Sequence, residues 1–186
     1  MNVFDFDGTI YDGDSSIDFW LFCLSRKPSL IRYFPRQLSG AFLYKSGQNS
    51  KEEFKSRYFC FFEGISDIDF YVKEFWDKQQ TKIKEWYKSI QKEDDCVISA
   101  SPVFLLSEIC SRLGIKNLIA TKVDKKTGKL IGKNCHDKNK PDFYRNCIGN
   151  IEIDEFYSDS KSDEPMARLA KRAFLVKKDK IIEWSK

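Results

Sequence analysis

The chain opens on a two-residue rhythm: in Val3-Phe4-Asp5-Phe6-Asp7-Gly8-Thr9-Ile10 two aspartates stand one residue apart at the end of a short apolar run. Alternate residues of a strand point the same way, so Asp5 and Asp7 are expected to emerge together where the strand ends, with Phe4 and Phe6 packed on the other side. The period then lengthens to that of a helix. Ile17, Trp20, Leu21 and Leu24 mark one helix, and Leu30, Phe34, Leu38 and Phe42 keep a four-residue step around Pro35. Phe54, Tyr58, Phe61 and Phe62 mark another, and Val72, Phe75, Trp76, Ile83, Trp86, Tyr87 and Ile90 one or two more.

The next strand is expected at Cys96-Val97-Ile98-Ser99, after the acidic turn Glu93-Asp94-Asp95. A crossover between parallel strands needs only a dozen or more residues, yet roughly 80 intervene, so a helical insertion is expected between them. From Ser99 onward elements alternate regularly. Pro102 opens a helix through Val103, Leu106, Ile109, Cys110 and Leu113, stopped by Gly114, and Asn117–Thr121 reads as a strand. Val123 to Ile131 reads as a β-hairpin, residues around Phe143, Tyr144 and Cys147 as a helix, and Ile151 to Ser158 as a strand. A short helix opened by Pro165, a strand at Ala173–Val176 and an edge strand at Ile181–Trp184 complete the pattern. The expected fold class is α/β: a doubly wound, Rossmann-like parallel sheet with an inserted helical cap, ligands binding outside the carboxyl ends of the strands. Residues 1–13 and 95–186 would form the core and 14–94 the cap.

Composition narrows the partners. The 186 residues carry a net charge of +4, but basic and acidic residues alternate and no basic stripe develops, so nucleic acid is not an expected partner. Six cysteines lie far apart without a CxxC pair and His136 is the only histidine, which argues for reduced, buried thiols and against a zinc site. No apolar run approaches a membrane span, and a cytoplasmic protein, monomeric or homodimeric, without membrane association is expected. One segment, Leu30 to Leu38, mixes apolar residues with Arg32 and Arg36 as a membrane-surface helix does.

Candidate chemistry collects where the architecture places an active site. Two carboxylates at one strand tip repel, and a hard divalent ion such as magnesium relieves that repulsion. Gly8 frees the turn and exposes amides to an anion. Ser99, Ala100 and Ser101 follow the second strand and offer a hydroxyl and amides to phosphate oxygens; Ser99 alone also suits a helix N-cap. Lys140 precedes Pro141 at a helix start, where an ammonium would neutralise phosphate and hold Asp5; Lys138 is the competing choice. Tyr157-Ser158-Asp159-Ser160-Lys161-Ser162-Asp163 ends a strand with two acids, Asp159 suited to complete a metal site and Asp163 to orient it from behind, or to cap the helix at Pro165.

Taken together, DFDGT, Ser99, Lys140 and YSDSxxDxP resemble, in order and spacing across essentially the whole chain, the signatures of the haloacid dehalogenase superfamily, most closely its phosphoserine phosphatase-like branch. The resemblance implies a magnesium-dependent phosphatase acting on a small phosphorylated metabolite. Asp5 would be the nucleophile forming an aspartyl-phosphate and Asp7 the general acid and base. Gly8, Ser99, Ala100 and Lys140 would hold phosphate; Asp5, Asp7, Asp159 and, from behind, Asp163 would hold metal. Asp14, Lys55 and Arg57 are candidates for the non-phosphate end of the substrate. Two other classes share such an acidic, phosphate-holding site. A phosphotransferase or mutase is close in chemistry. A non-catalytic phosphate-binding regulator would have no need of Asp7 or of a large helical insertion.

Overall fold

The computed structural model describes residues 1–185. Its strands are β1 (Asn2–Phe4), β2 (Cys96–Pro102), β3 (Asn117–Thr121), β4 (Ile153–Ser158), β5 (Ala170–Lys177) and β6 (Lys180–Glu183). They form one sheet in the order β3-β2-β1-β4-β5-β6, parallel throughout except for the antiparallel pairing of β5 with β6. The chain moves outward from β1 through β2 to β3, then returns to the other side of β1 as β4. Strand order therefore reverses at β1, and the crevice beyond its carboxyl end is where such sheets bind ligands.

Alternation along each strand divides the core between two faces. Val3, Cys96, Ile98 and Phe156 point into one cluster with Tyr144 and Met166. Their neighbours Phe4, Val97 and Tyr157 point into a larger one with Phe75, Trp76, Tyr87 and Leu106. Phe4 stacks on Tyr157 at 4.8 Å between ring centroids and meets Tyr87 edge-on at 5.0 Å. Full burial of one such ring contributes about 1.5–3 kcal/mol. β1 is thereby anchored on both faces immediately before Asp5.

The helical region is α1 (Ser15–Arg26), α2 (Phe34–Lys45), α3 (Lys51–Tyr58), α4 (Ile68–Gln79) and α5 (Glu85–Ile90), joined by short 3-10 turns. Asp14 caps α1, its Oδ1 accepting from Ile17 N at 2.9 Å. Ser50 and Glu53 form a capping box that fixes the start of α3. α4 and α5 lie against the sheet layer: Trp76 Nε1 donates to Leu105 O at 2.7 Å, and Tyr87 touches β1. Leu105 belongs to α6 (Val103–Arg112), which Gly114 terminates at φ +72°. α7 (Lys140–Ile148) and the single turn α8 (Glu164–Ala167) cover the other face.

Two expectations need correction. The four-residue step from Leu30 to Phe42 does form a 3-10 turn and a helix, but only Leu30 is buried; Phe34, Leu38 and Phe42 are 48%, 59% and 70% exposed. Gln37 and Gly40 face inward instead. The Gln37 amide donates to Tyr58 O at 2.7 Å, and a Cβ on Gly40 would stand 2.8 Å from Arg57 Cβ, so close approach to α3 selects that small, polar face. The Val123–Ile131 hairpin shrinks to a single bridge between Val123 and Leu130 around a turn closed by Asp124.

Candidate active site

Asp5 follows β1 directly, its amide still donating to Tyr157 O at 2.8 Å, so its side chain is delivered at the reversal point of the sheet. Lys140, the first residue of α7, reaches back 135 residues to place Nζ 2.7 Å from Asp5 Oδ1 and 2.6 Å from Asp163 Oδ2. Ser158 Oγ also donates to Asp163 Oδ2, at 2.8 Å. Burial opposes charge on Lys140, which is 2% exposed, but Asp5 and Asp163 outweigh it and its pKa is raised. Lys138 is exposed, and it is Lys140 that is buried against the two carboxylates. Burial pushes Asp5 the other way from an ion pair's usual effect, up to about 7, with Asp163 and Asp7 adding to the rise and Lys140 opposing it. The site is thus too negative for one ammonium to balance.

Removing one partner of a buried ion pair typically costs about 3–5 kcal/mol. Lys140→Met is expected to destabilise the chain by about 3 kcal/mol at pH 8 and by less at pH 5, because burial raises Asp5 and favours its neutral form as pH falls. Urea denaturation at the two pH values checks this; equal losses at both would contradict the charge balance.

Asp7 does not share that ion pair. Its Oδ2 accepts from Ser101 Oγ at 2.6 Å and its Oδ1 from Ser15 N at 2.6 Å, tying the carboxylate to β2 on one side and to the start of α1 on the other. Desolvation, and then the charge of Asp14, push its pKa up to about 6, against the pull of those hydrogen bonds. A hydroxyl both donates and accepts, so Ser101 accommodates either protonation state of Asp7.

Gly8 bends the chain at φ +72°, and a Cβ there would collide with Asp159 Oδ2. The Asp159 amide donates to Thr9 Oγ1 at 2.9 Å, locking the turn after β4 onto the turn after β1. Lys84 Nζ adds a strap from the start of α5, donating to Gly8 O at 2.6 Å and Lys178 O at 2.8 Å. Gly8→Ala is therefore expected to cost about 1–3 kcal/mol and to displace Asp159. A melting temperature within error of the parent would contradict it.

Asp5, Asp7, Asp159 and Asp163 all line one cavity of about 650 Å³. Among the described residues no three acidic, histidine or cysteine side chains stand together closely enough to hold a metal ion. Asp7 accepts from Ser101 and Ser15 with its two oxygens, and Asp163 Oδ2 accepts from Lys140 and Ser158. Asp5 Oδ2 and the Asp159 carboxylate accept no hydrogen bond from another described residue. Partial desolvation and the charge of Asp163 raise Asp159 as well. Oxygen-only donors carrying surplus negative charge fit a hard divalent cation.

Ser99, Ala100 and Gly8 belong to the same cavity wall. Ser99 does not cap α6; its Oγ accepts from Ser101 N at 3.1 Å, so one of the two expected amides is already engaged locally. On the helical side Asp14 and Lys55 line the cavity and Arg57 does not. Arg57 packs beneath Gly40 of α2, two residues out of phase with Lys55. Lys55 Nζ donates to Ala100 O at 2.6 Å and Asn134 Oδ1 at 3.0 Å, and burial with the nearby Lys51 lowers it to about 8. Lys51 and His136, which the motifs did not point to, are in mutual contact at 2.9 Å on the same wall. Lys51 lies one helical turn before Lys55 on α3, a spacing visible in the sequence.

A strand-end carboxylate cluster bridged by a buried lysine thus stands at the reversal point of a parallel, Rossmann-like α/β sheet. Residues 3–168 match the haloacid dehalogenase-like hydrolase family, and the chain belongs to it. Its fold is similar to a protein with unknown function from Bordetella pertussis Tohama I, at a TM-score of 0.75 and 19% identity over 93% of this chain and 87% of that one. It is also similar to a phosphoserine phosphohydrolase-like protein from Francisella tularensis (TM-score 0.60, 16% identity, 93% and 86% covered). A third likeness is to a probable phosphoserine phosphatase from Vibrio cholerae (TM-score 0.64, 10% identity, 92% and 55% covered). Among curated proteins none matches the chain in sequence.

Proposed function

We propose that the chain is a magnesium-dependent phosphatase that hydrolyses a small phosphomonoester through an aspartyl-phosphate on Asp5. The observation that carries this reading is the separate treatment of two carboxylates two residues apart. Asp5 is paired with Lys140, whereas Asp7 is desolvated and held between a hydroxyl and an amide. Environments that differ in this way divide one chemistry between a nucleophile and an acid.

In the first step an Asp5 oxygen attacks phosphorus and the bond to the leaving oxygen breaks, that oxygen taking the proton of Asp7. In the second, Asp7 takes a proton from water, the water oxygen bonds to phosphorus, and the bond to Asp5 breaks to release phosphate. Lys140 keeps Asp5 oriented and offsets charge on the phosphoryl oxygens, as do Ser99 and the amides near Gly8 and Ala100. Asp5 and Asp159 would hold the magnesium ion. When bound, it would supply positive charge beside these carboxylates and the phosphoryl oxygens.

The cap in this reading is α1 to α3, which bring Ser16, Lys51 and Lys55 over the strand ends, while α4 and α5 serve the core. Similar folds include phosphoserine phosphatases and, in one case, a phospho-aspartyl intermediate analogue of such an enzyme, which supports the reaction class.

Hydrolysis of para-nitrophenyl phosphate with magnesium, with a chelator, and by the Asp5→Asn variant tests the reading. Release that needs both magnesium and Asp5 is expected. Undiminished release with the chelator, or by the variant, would overturn it, and product analysis with an alcohol acceptor separates hydrolysis from transfer.

A further inference from the structure

Helix α2 is built inside out. Its buried positions are Gln37 and Gly40, while Ile31 of the preceding turn and Phe34, Leu38 and Phe42 stand 54%, 48%, 59% and 70% exposed. Spaced at three, four and four residues, these side chains form one continuous apolar stripe along the turn and helix. Scattered exposed apolar residues are ordinary, but an aligned row of large ones marks a contact surface. No helix among the described residues is long and apolar enough to cross a membrane, so the stripe is not part of a spanning helix.

Charge identifies what the stripe fits. Between Asp18 and Glu52 the chain contains no acidic residue and six basic ones: Arg26, Lys27, Arg32, Arg36, Lys45 and Lys51. Arg26 and Arg36 are tied to Glu74 and Glu63. Arg32 lies over the Tyr33 ring, 5.0 Å from its centroid, and donates to the Tyr33 hydroxyl at 3.2 Å, and Lys45 at the far end of α2 is exposed. Neither forms an ion pair with a described carboxylate, so the stripe is flanked by cations without counter-charge. A second copy of the chain meeting this face would bring like charges together. An anionic lipid surface complements both the apolar row and its flanking charge, which is the signature of a helix lying in the membrane interface.

We propose that the exposed face of residues 31–45 docks the protein on an anionic lipid surface as a peripheral, non-spanning contact. This goes beyond the proposed phosphatase activity and does not depend on it. The docking face lies on the side of α2 away from α3, the helix that supplies Lys51 and Lys55 to the cavity wall. The sequence alone weighs against membrane association; the folded chain shifts that weight by turning Phe34, Leu38 and Phe42 outward.

Flotation of the full chain with phosphatidylcholine vesicles, with and without phosphatidylglycerol, tests the proposal. Size-exclusion chromatography with light scattering, without lipid, accompanies it. Binding is expected only to vesicles containing phosphatidylglycerol, weakening as salt rises above the screening range of about 0.1 M. The exposed double variant Leu38→Ser/Phe42→Ser should lose at least about tenfold of that binding, since each substitution removes an inserted apolar side chain. Its melting temperature and para-nitrophenyl phosphate turnover should stay unchanged. No enrichment on anionic vesicles would overturn the proposal, as would binding that survives the double variant. A concentration-dependent dimer that the double variant abolishes would assign the face to a second copy and overturn it equally.

Discussion

Replacing Asp5 with asparagine is expected to reduce phosphomonoester turnover by about 10⁴-fold or more, the scale at which loss of a covalent nucleophile is felt. An amide has no anionic oxygen with which to attack phosphorus. The geometry around it survives, because Asn Oδ1 still accepts from Lys140 Nζ, and Lys140 keeps Asp163 at 2.6 Å. Circular dichroism should therefore resemble the parent's, separating a chemical loss from a folding one. A variant that keeps a tenth of the activity would remove Asp5 from the nucleophile's role.

Asp7→Asn separates two effects that move in opposite directions. Turnover should fall by about 10²–10⁴-fold, the contribution of one positioned proton donor and acceptor. Stability should rise. Asp7 is pushed up to about 6 in the folded chain from an ordinary 3.8, so the folded state binds its proton more readily than the unfolded one. The cost of ionising Asp7 in place is fully present above pH 6 and disappears as pH falls toward 4. At pH 8, without divalent ions, the asparagine variant is expected to gain about 1–3 kcal/mol, because each tenfold change in proton affinity on folding is worth about 1.4 kcal/mol. The gain should vanish near pH 4. Asn fits both partners, accepting from Ser15 N and donating to Ser101 Oγ. Denaturant titrations of both proteins at pH 8 and pH 4 check this; a variant less stable at pH 8 would mean that those hydrogen bonds outweigh the burial of charge.

The strands are legible because alternation is local: Asn117–Thr121 reads as a strand and is one, and Phe4 and Phe6 are both fully buried, leaving Asp5 and Asp7 to the cavity. The same rule delivers Asp5 and Asp159, since each directly follows the last residue of a strand, whereas Asp163 lies in the 3-10 turn Lys161–Asp163 beyond β4. Periodicity marks a face without saying what it faces. Leu30 to Phe42 announces an apolar stripe, but Gly40 and Gln37 take the close contact with α3 and leave the stripe in solvent. Partners distant in sequence are equally silent. Ser101 meets Asp7 across 94 residues and Lys84 meets Gly8 across 76, and no spacing rule links either pair. Helical phase takes Arg57 away from the cavity, because the cavity side of α3 runs through Lys51 and Lys55 and a step of two residues turns off it. A motif supplies carboxylates but not the hydrogen bonds that engage them, such as those from Ser101 and Ser15 to Asp7 and from Lys140 and Ser158 to Asp163.

The central claim is covalent chemistry on Asp5, and trapping tests it most directly. The protein, turning over a phosphomonoester with magnesium, would be quenched in acid and its peptides mapped by mass spectrometry. The account predicts a phosphoryl group on Asp5, labile to hydroxylamine and missing from Asp5→Asn. Steady turnover with no adduct on that peptide, and a variant that still releases phosphate, would contradict it.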